Sequence, residues 1–341
     1  MCLYPKLINN RKYLANKKNG GNIPSVPDER VKIVTASCGK CMECRKQKMR
    51  EWQVRLSEEI RTQELQAWFV TMTYSDESMQ KLDDKIEGEH KKIKEKLKKE
   101  KKLRGSARNK KNYLNGYNRD NEIARYSVRK FTERWRKKFG KTVRHWIVTE
   151  LGTNKTERLH LHGIIWCKNK ADIEERWQYG GVYIGEWCNN ETVAYIVKYL
   201  NKSDKIHKEY IPKMFVSQGI GKKYLNRKDR ELNKYKENGE TDELYRTRDG
   251  IKLALPIYYR NKIYTENERE KLWIEKLDKG ERYILGRKVK NEKDYYKTLE
   301  EARKVNKILG YGDNSINWNR KEYEDQKRNL KRLERIKKLH G

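Results

Sequence analysis

The chain has 341 residues, with 82 Lys and Arg against 49 Asp and Glu, a net charge of +33 and a mean hydropathy of -1.17. That length holds one large domain with extensions or two domains, and the charge calls for a polyanionic partner, nucleic acid before an anionic membrane surface. With no apolar run long enough to span a bilayer and no signal-peptide pattern after Met1, the expectation is a soluble, cytosolic protein with no membrane role.

Met1 to about Arg30 is turn-rich, and Val31 to Val34 is a short strand candidate. Next comes Cys38-Gly39-Lys40-Cys41-Met42-Glu43-Cys44. Six cysteines are too few for a disulfide scaffold, and the Cys-x-x-Cys-x-x-Cys spacing brings three thiolates within reach of one ion. A structural zinc needs a fourth ligand, and Cys2 is the candidate; redox pairing and an iron–sulfur cluster are the rivals. Arg45 to Gln66 reads as a helix with a basic start and an apolar stripe of Trp52, Leu56, Ile60 and Leu65. Ala67 to Tyr74 reads as a strand.

Composition then shifts. Residues 81–121 are lysine-rich with little apolar periodicity, which fits a charged helical or partly disordered insertion, either a solvated excursion or a nucleic-acid-contacting arm. Asn121 is placed to cap a helix carrying Val128, Phe131, Trp135 and Phe139, with Gly140 ending it.

His145 to Glu150 and Arg158 to Trp166 read as two strands of a hairpin around the polar loop 151–157. The strand period of two puts His160 and His162 on one face and Leu159 and Leu161 on the other. Antiparallel pairing brings Glu150 across from the histidines, and two imidazoles with one carboxylate make a divalent-metal site with open positions. Taken alone, His-x-His equally describes two ordinary polar residues on a half-exposed strand. A helix near Asp172 to Gln178 and a strand from Gly181 to Trp187 complete a β-α-β-β-α-β order. The fold class is therefore α+β, a central antiparallel sheet flanked by helices.

Asn189 or Asn190 can cap the next helix, in which Val193, Ile196, Val197 and Leu200 share one stripe. Tyr195, Tyr199 and Lys202 fall on the opposite side, flanked by Lys198. Two half-buried tyrosines at a helix edge would show the same spacing. Further on, residues 218–224 form a glycine-containing turn, Leu255 to Arg260 an extended aromatic segment, and residues 317–339 a charged helix with a thin apolar edge of Leu330, Leu333, Ile336 and Leu339. The chain divides into an N-terminal Cys-cluster region with its basic helix (1–60), a core (61–205) interrupted by the lysine-rich insertion, and a basic C-terminal extension (206–341).

The hydrophobic strand Trp68 to Thr73, then His160-Leu161-His162, then a helix with Tyr195, Tyr199 and nearby lysines resembles, in that order, the three motifs of the HUH endonucleases that start rolling-circle replication. Cys2, the Cys38–Cys44 cluster followed by Trp52, Arg55 and Leu56, and the paired tyrosines are similar to the replication initiators of gokushovirus-like (Microviridae) single-stranded DNA phages. The resemblance runs from the N-terminus through about Lys202. It implies an RRM- or palm-like sheet, His160 and His162 as ligands of Mg²⁺ or Mn²⁺ with Glu150 as the third, and Tyr195 and Tyr199 as nucleophiles assisted by Lys198 and Lys202. The implied reaction nicks one strand of the origin through a 5′-phosphotyrosine and later rejoins it. Implied partners are single-stranded and supercoiled origin DNA with host helicase and DNA polymerase, in the host cytoplasm. Zn²⁺ at Cys2, Cys38, Cys41 and Cys44 remains a structural expectation. The rival classes are an HUH transposase or relaxase and a non-enzymatic packaging protein for single-stranded nucleic acid.

Overall fold

The computed structural model describes residues 1–99, 114–152, 157–185, 188–202, 204, 206–247, 250–280, 282–289, 291–315 and 317–340. In chain order the elements are β1 (Lys6–Asn9), β2 (Ile33–Ala36), α1 (Met42–Thr62), β3 (Ala67–Met72), α2 (Asp76–Lys99), α3 (Gly116–Phe139), β4 (Arg144–Leu151) and β5 (Leu159–Trp166). Then follow α4 (Ala171–Trp177), β6 (Val182–Gly185), α5 (Asn190–Asn201), β7 (Met214–Val216), β8 (Leu244–Arg246), β9 (Lys252–Ala254), α6 (Ile257–Ile263) and α7 (Glu266–Asp278). The last are β10 (Arg282–Ile284), β11 (Arg287–Val289), α8 (Glu292–Ile308) and α9 (Trp318–His340). These elements form two compact units, one of residues 1–59, 200–203 and 221–316, the other of residues 60–199, 204–220 and 317–341. Residues 206–341 thus contribute to both.

The second unit is built on a five-stranded sheet in the order β6-β3-β5-β4-β7, every neighbouring pair antiparallel. This is the α+β architecture expected, with β7 as a strand that the sequence pattern had not disclosed. On one face Val70, Met72, Ile147, Leu159, Leu161 and Ile165 pack with Ile123, Phe131 and Trp135 of α3 and Ile173 and Trp177 of α4. Fully burying side chains of this size contributes about 1.5–3 kcal/mol each. Gly163 lies mid-strand on β5, where an added Cβ would stand 2.7 Å from the Trp146 carbonyl oxygen. Only a glycine lets β4 come that close. The opposite face carries His160, His162, Phe69 and Thr71.

Three helix expectations need correction. α3 begins at Gly116 with Asn115 at its N-cap, not at Asn121. Tyr117 and Asp120 are buried in the added turns, and the charge of Asp120 hid that face from a hydrophobic pattern. The Asn121 side chain instead bonds the Ile211 carbonyl at 3.1 Å and accepts from Thr149 at 3.2 Å. Gly140 does end the helix, in the left-handed region at φ 71°. α9 packs on α2 and α3, yet Leu330 and Leu333 of its supposed apolar edge are exposed while Glu324, Asp325 and Arg328 are buried. Arg328 makes a two-pronged bond to Asp120 at 2.8 and 2.9 Å, which satisfies both buried charges. The segment expected to be extended after Leu255 is the helix α6, capped by Pro256 and anchored by the buried Tyr259. The lysine-rich stretch is α2 as far as Lys99; residues 100–113, including Lys101 and Lys102, lie outside the described residues, as do 153–156 of the hairpin loop and Glu186 and Trp187 beyond β6.

In the first unit, β1 pairs antiparallel with β2, and Cys2, Leu3, Cys41 and Met42 share a core with Ile284, Leu299 and Ala302. A second core is rich in tyrosine: Tyr224, Tyr245, Tyr259 and Tyr264 pack with Val54, Leu255 and Leu272. The phenols find polar partners inside, for Tyr245 bonds the Glu58 carboxylate and Tyr259 donates to the Gly221 carbonyl at 2.9 Å. Glu59 accepts from the Gly221 amide at 2.6 Å. Gly221 sits at φ 76°, and a Cβ there would stand 2.7 Å from the Tyr259 hydroxyl and 2.8 Å from the Arg55 carbonyl oxygen.

Candidate active site

The β4–β5 register sets Glu150 opposite His160 and Val148 opposite His162, and β3 sets Thr71 on the other side of His162. Paired residues of an antiparallel ladder project to the same face, so Thr71, His162, His160 and Glu150 share one. His162 is held at both ring nitrogens: Nε2 is 2.9 Å from Glu150 Oε2, and Nδ1 is 3.0 Å from Thr71 Oγ1. The His160 ring lies alongside, with centroids 6.4 Å apart.

Helix α5 brings the tyrosines to this face. Asn189 caps it, its side chain accepting from the Thr192 amide at 2.9 Å. Val193, Ile196, Val197 and Leu200 are buried as the stripe required, at 0, 0, 1 and 6% exposure. Tyr199 stacks flat on His162, with centroids 4.3 Å apart and planes 7° from parallel. Tyr195 meets Phe69 edge-on at 6.1 Å, and the two phenol oxygens are 3.1 Å apart. Tyr195 is 51% exposed and Tyr199 is half-buried. The Lys198 ammonium lies 5.9 Å from the Tyr195 ring. Lys202 stands just beyond the end of α5, in the first unit, where its carbonyl accepts from Arg45 at 2.9 Å.

Phe69 and Thr71 were not singled out from sequence. The signal available was alternation along β3, which aligns Phe69, Thr71 and Thr73 on one face.

The electrostatics favour added positive charge. Burial raises the Tyr199 phenol above its ordinary range, helped by its bond to Tyr195 and by the Glu150 carboxylate. Burial, then the neighbouring His162, pushes the His160 imidazole below the usual histidine range, which keeps it neutral and able to ligate. Two adjacent ligands of an octahedral ion at 2.0–2.1 Å stand about 2.9 Å apart, the separation of His162 Nε2 from Glu150 Oε2. That pair therefore fits a hard divalent cation. His160 lies beside it without closing a third corner, since among the described residues the one group of three or more ligands close enough to hold an ion is the cysteines.

Those are Cys2, Cys38, Cys41 and Cys44, whose sulfurs all lie within 4.8 Å of one another, a set able to hold a metal such as zinc. Four thiolates 2.3 Å from a tetrahedral ion would be about 3.8 Å apart, and Cys38 and Cys44 are 3.9 Å apart. Backbone amides already point at the sulfurs: Leu3 to Cys41 at 3.5 Å, Cys38 to Cys2 at 3.2 Å and Cys41 to Cys38 at 3.3 Å. The bonds that Cys41 accepts, first from Cys44, lower its thiol to about 4, while burial raises Cys38 to about 11.

Residues 67–204 match a family model of viral replication-associated proteins, described by the name Replication-associated protein ORF2. The matched stretch contains Glu150, both histidines and both tyrosines. The chain is also similar to the "Replication-associated protein ORF2" of Spiroplasma virus 4, 26% identical over 353 residues that cover 90% of this chain and 96% of the relative. No solved structure matches.

Proposed function

We propose that the protein starts rolling-circle replication of a small single-stranded DNA phage by nicking one strand of the origin and later rejoining it. The observation that carries this reading is the stacking of Tyr199 on His162, with Tyr195 in hydrogen-bond contact, on the face that holds Glu150. A packed core gives no reason to gather two phenols, two imidazoles and a carboxylate there. The similarity to replication-associated proteins supports the same process.

Residues 61–205 would form the endonuclease core. The phenolate oxygen of Tyr195 or Tyr199 attacks the scissile phosphorus, the bond to the 3′ oxygen breaks, and that oxygen takes up a proton. The products are a 5′-phosphotyrosine and a free 3′-hydroxyl. The hydroxyl can prime a host DNA polymerase once a host helicase opens the duplex, in the host cytoplasm. The phosphotyrosine conserves the bond energy, so the reverse attack reseals the strand. Two tyrosines let the second cut the regenerated origin while the first still holds the old end. Glu150 and His162, joined by His160, would hold Mg²⁺ or Mn²⁺, which supplies a Lewis acid for the phosphate and positive charge beside the phenol. Lys198 and Lys202 would add charge to the same phosphate. Cys2, Cys38, Cys41 and Cys44 would hold a structural zinc.

The test is covalent capture. Protein incubated with circular single-stranded phage DNA and Mn²⁺ should leave a denaturation-resistant adduct whose peptide carries Tyr195 or Tyr199. Each single Tyr→Phe change should retain some adduct, and Tyr195→Phe with Tyr199→Phe should lower it by at least about a thousandfold, because no hydroxyl remains. Undiminished adduct in the double variant would falsify the mechanism and favour a packaging protein.

A further inference from the structure

We infer that Tyr183 on β6 is a stacking platform for a base of the single-stranded DNA, one or two nucleotides from the phosphate held at the tyrosine pair. This rests on the nuclease reading and adds to it a residue that grips the substrate. The register runs Tyr183 opposite Thr71 and Thr71 opposite His162, so the three stand in one row across the sheet. Thr71 Oγ1 touches the His162 ring, which fixes this row on the site face. The neighbours Val182 and Ile184 confirm the alternation, since both pack into the core on the other face. Tyr183 is nevertheless 65% exposed. Two strand spacings put it about 10 Å from His162.

A large aromatic on a strand beside a catalytic face is costly to leave in water unless something covers it. Gly185, two residues on and on the same face, adds no side chain, and its position is only 3.5 Å from the Phe69 ring. Phe69 in turn lies 6.4 Å from His162 with planes 22° from parallel. Tyr183 is thus the open end of a face whose other aromatics are already engaged. The occupant is set by charge as well as shape. Lys198 is exposed beside Tyr195, and the chain carries +33 overall, so a polyanion with flat apolar faces fits. Single-stranded DNA offers both, and stacking is indifferent to base identity.

The experiment compares full-length wild type, Tyr183→Ala and Tyr183→Phe for equilibrium binding to a fluorescent 20-nucleotide oligothymidylate and to an abasic strand of the same length. Neither probe contains an origin, so binding is read without cleavage, and a failure of the nuclease reading would show only in the adduct assay. Tyr183→Ala should bind the oligothymidylate about tenfold more weakly and the abasic strand equally well. Tyr183→Phe should match wild type, and the salt dependence of all three should share one slope because phosphate contacts are untouched. Equal losses on both probes, or no loss on oligothymidylate, would overturn the assignment.

Discussion

The two clusters of metal-ligand side chains differ in how finished they are. Around Cys41 four sulfurs already stand within 4.8 Å, fed by backbone amides and embedded in a core with Leu3 and Met42. On the sheet face only Glu150 and His162 meet, His160 stands aside, and two tyrosines occupy the remaining space. Closed coordination suits an ion that holds a fold together, and an incomplete shell suits one that must accept a phosphate oxygen. The contrast also separates soft from hard ligands: thiolates select zinc, whereas imidazole with carboxylate accepts Mg²⁺ or Mn²⁺.

Four perturbations press on this difference. Replacing His160 and His162 together by Ala should reduce nicking at least about a hundredfold while circular dichroism stays native; a folded double variant that nicks normally would end the assignment of the sheet site. Chelation comes next. Brief EDTA treatment followed by desalting should abolish nicking, Mn²⁺ or Mg²⁺ should restore it, and about one zinc per chain should survive in metal analysis. Zinc-free, reduced protein at full activity would leave the thiol cluster without its ion.

Cys41→Ser should release zinc and expose the first unit to proteolysis before the sheet unit, because metal binding there is coupled to folding. Cleavage starting in the sheet unit would argue the reverse dependence. Thr71→Val is the mildest change. It keeps the strand and removes the hydroxyl that orients the His162 ring, so the Mn²⁺ concentration for half-maximal nicking should rise about 10–100-fold with little change in melting temperature. An unchanged Mn²⁺ requirement would make that hydroxyl a bystander.

Where side-chain period and chemistry coincide, the sequence was readable. The alternation of Leu159, His160, Leu161 and His162 set both strand faces, and the Val193–Leu200 stripe set the buried side of α5. Cys2 as fourth thiol followed from ligand count, and the fold brings it there. Legibility failed where buried surfaces are polar. Arg328, Asp120 and Glu324 make a charged interface that a hydrophobic pattern reads as solvent-exposed. The tyrosines of the first unit failed in the opposite sense: Tyr224, Tyr245 and Tyr259 suited base stacking on composition but lie in a core, held by Glu58 and Gly221. Gly221, flanked by Tyr259 and Arg55, had no signal beyond its place in a turn.

The bond between Arg328 and Asp120 has a consequence for synthesis on the ribosome. The sheet emerges first, the 221–316 segment of the other unit follows, and α9 comes last. Until α9 arrives, Asp120 lacks its guanidinium, and removing one partner of a buried pair costs about 3–5 kcal/mol. Nascent chains stalled at residue 316 should therefore be protease-sensitive in the sheet unit and unable to form the DNA adduct. A nuclease assembled in that order cuts no template while its own translation is unfinished.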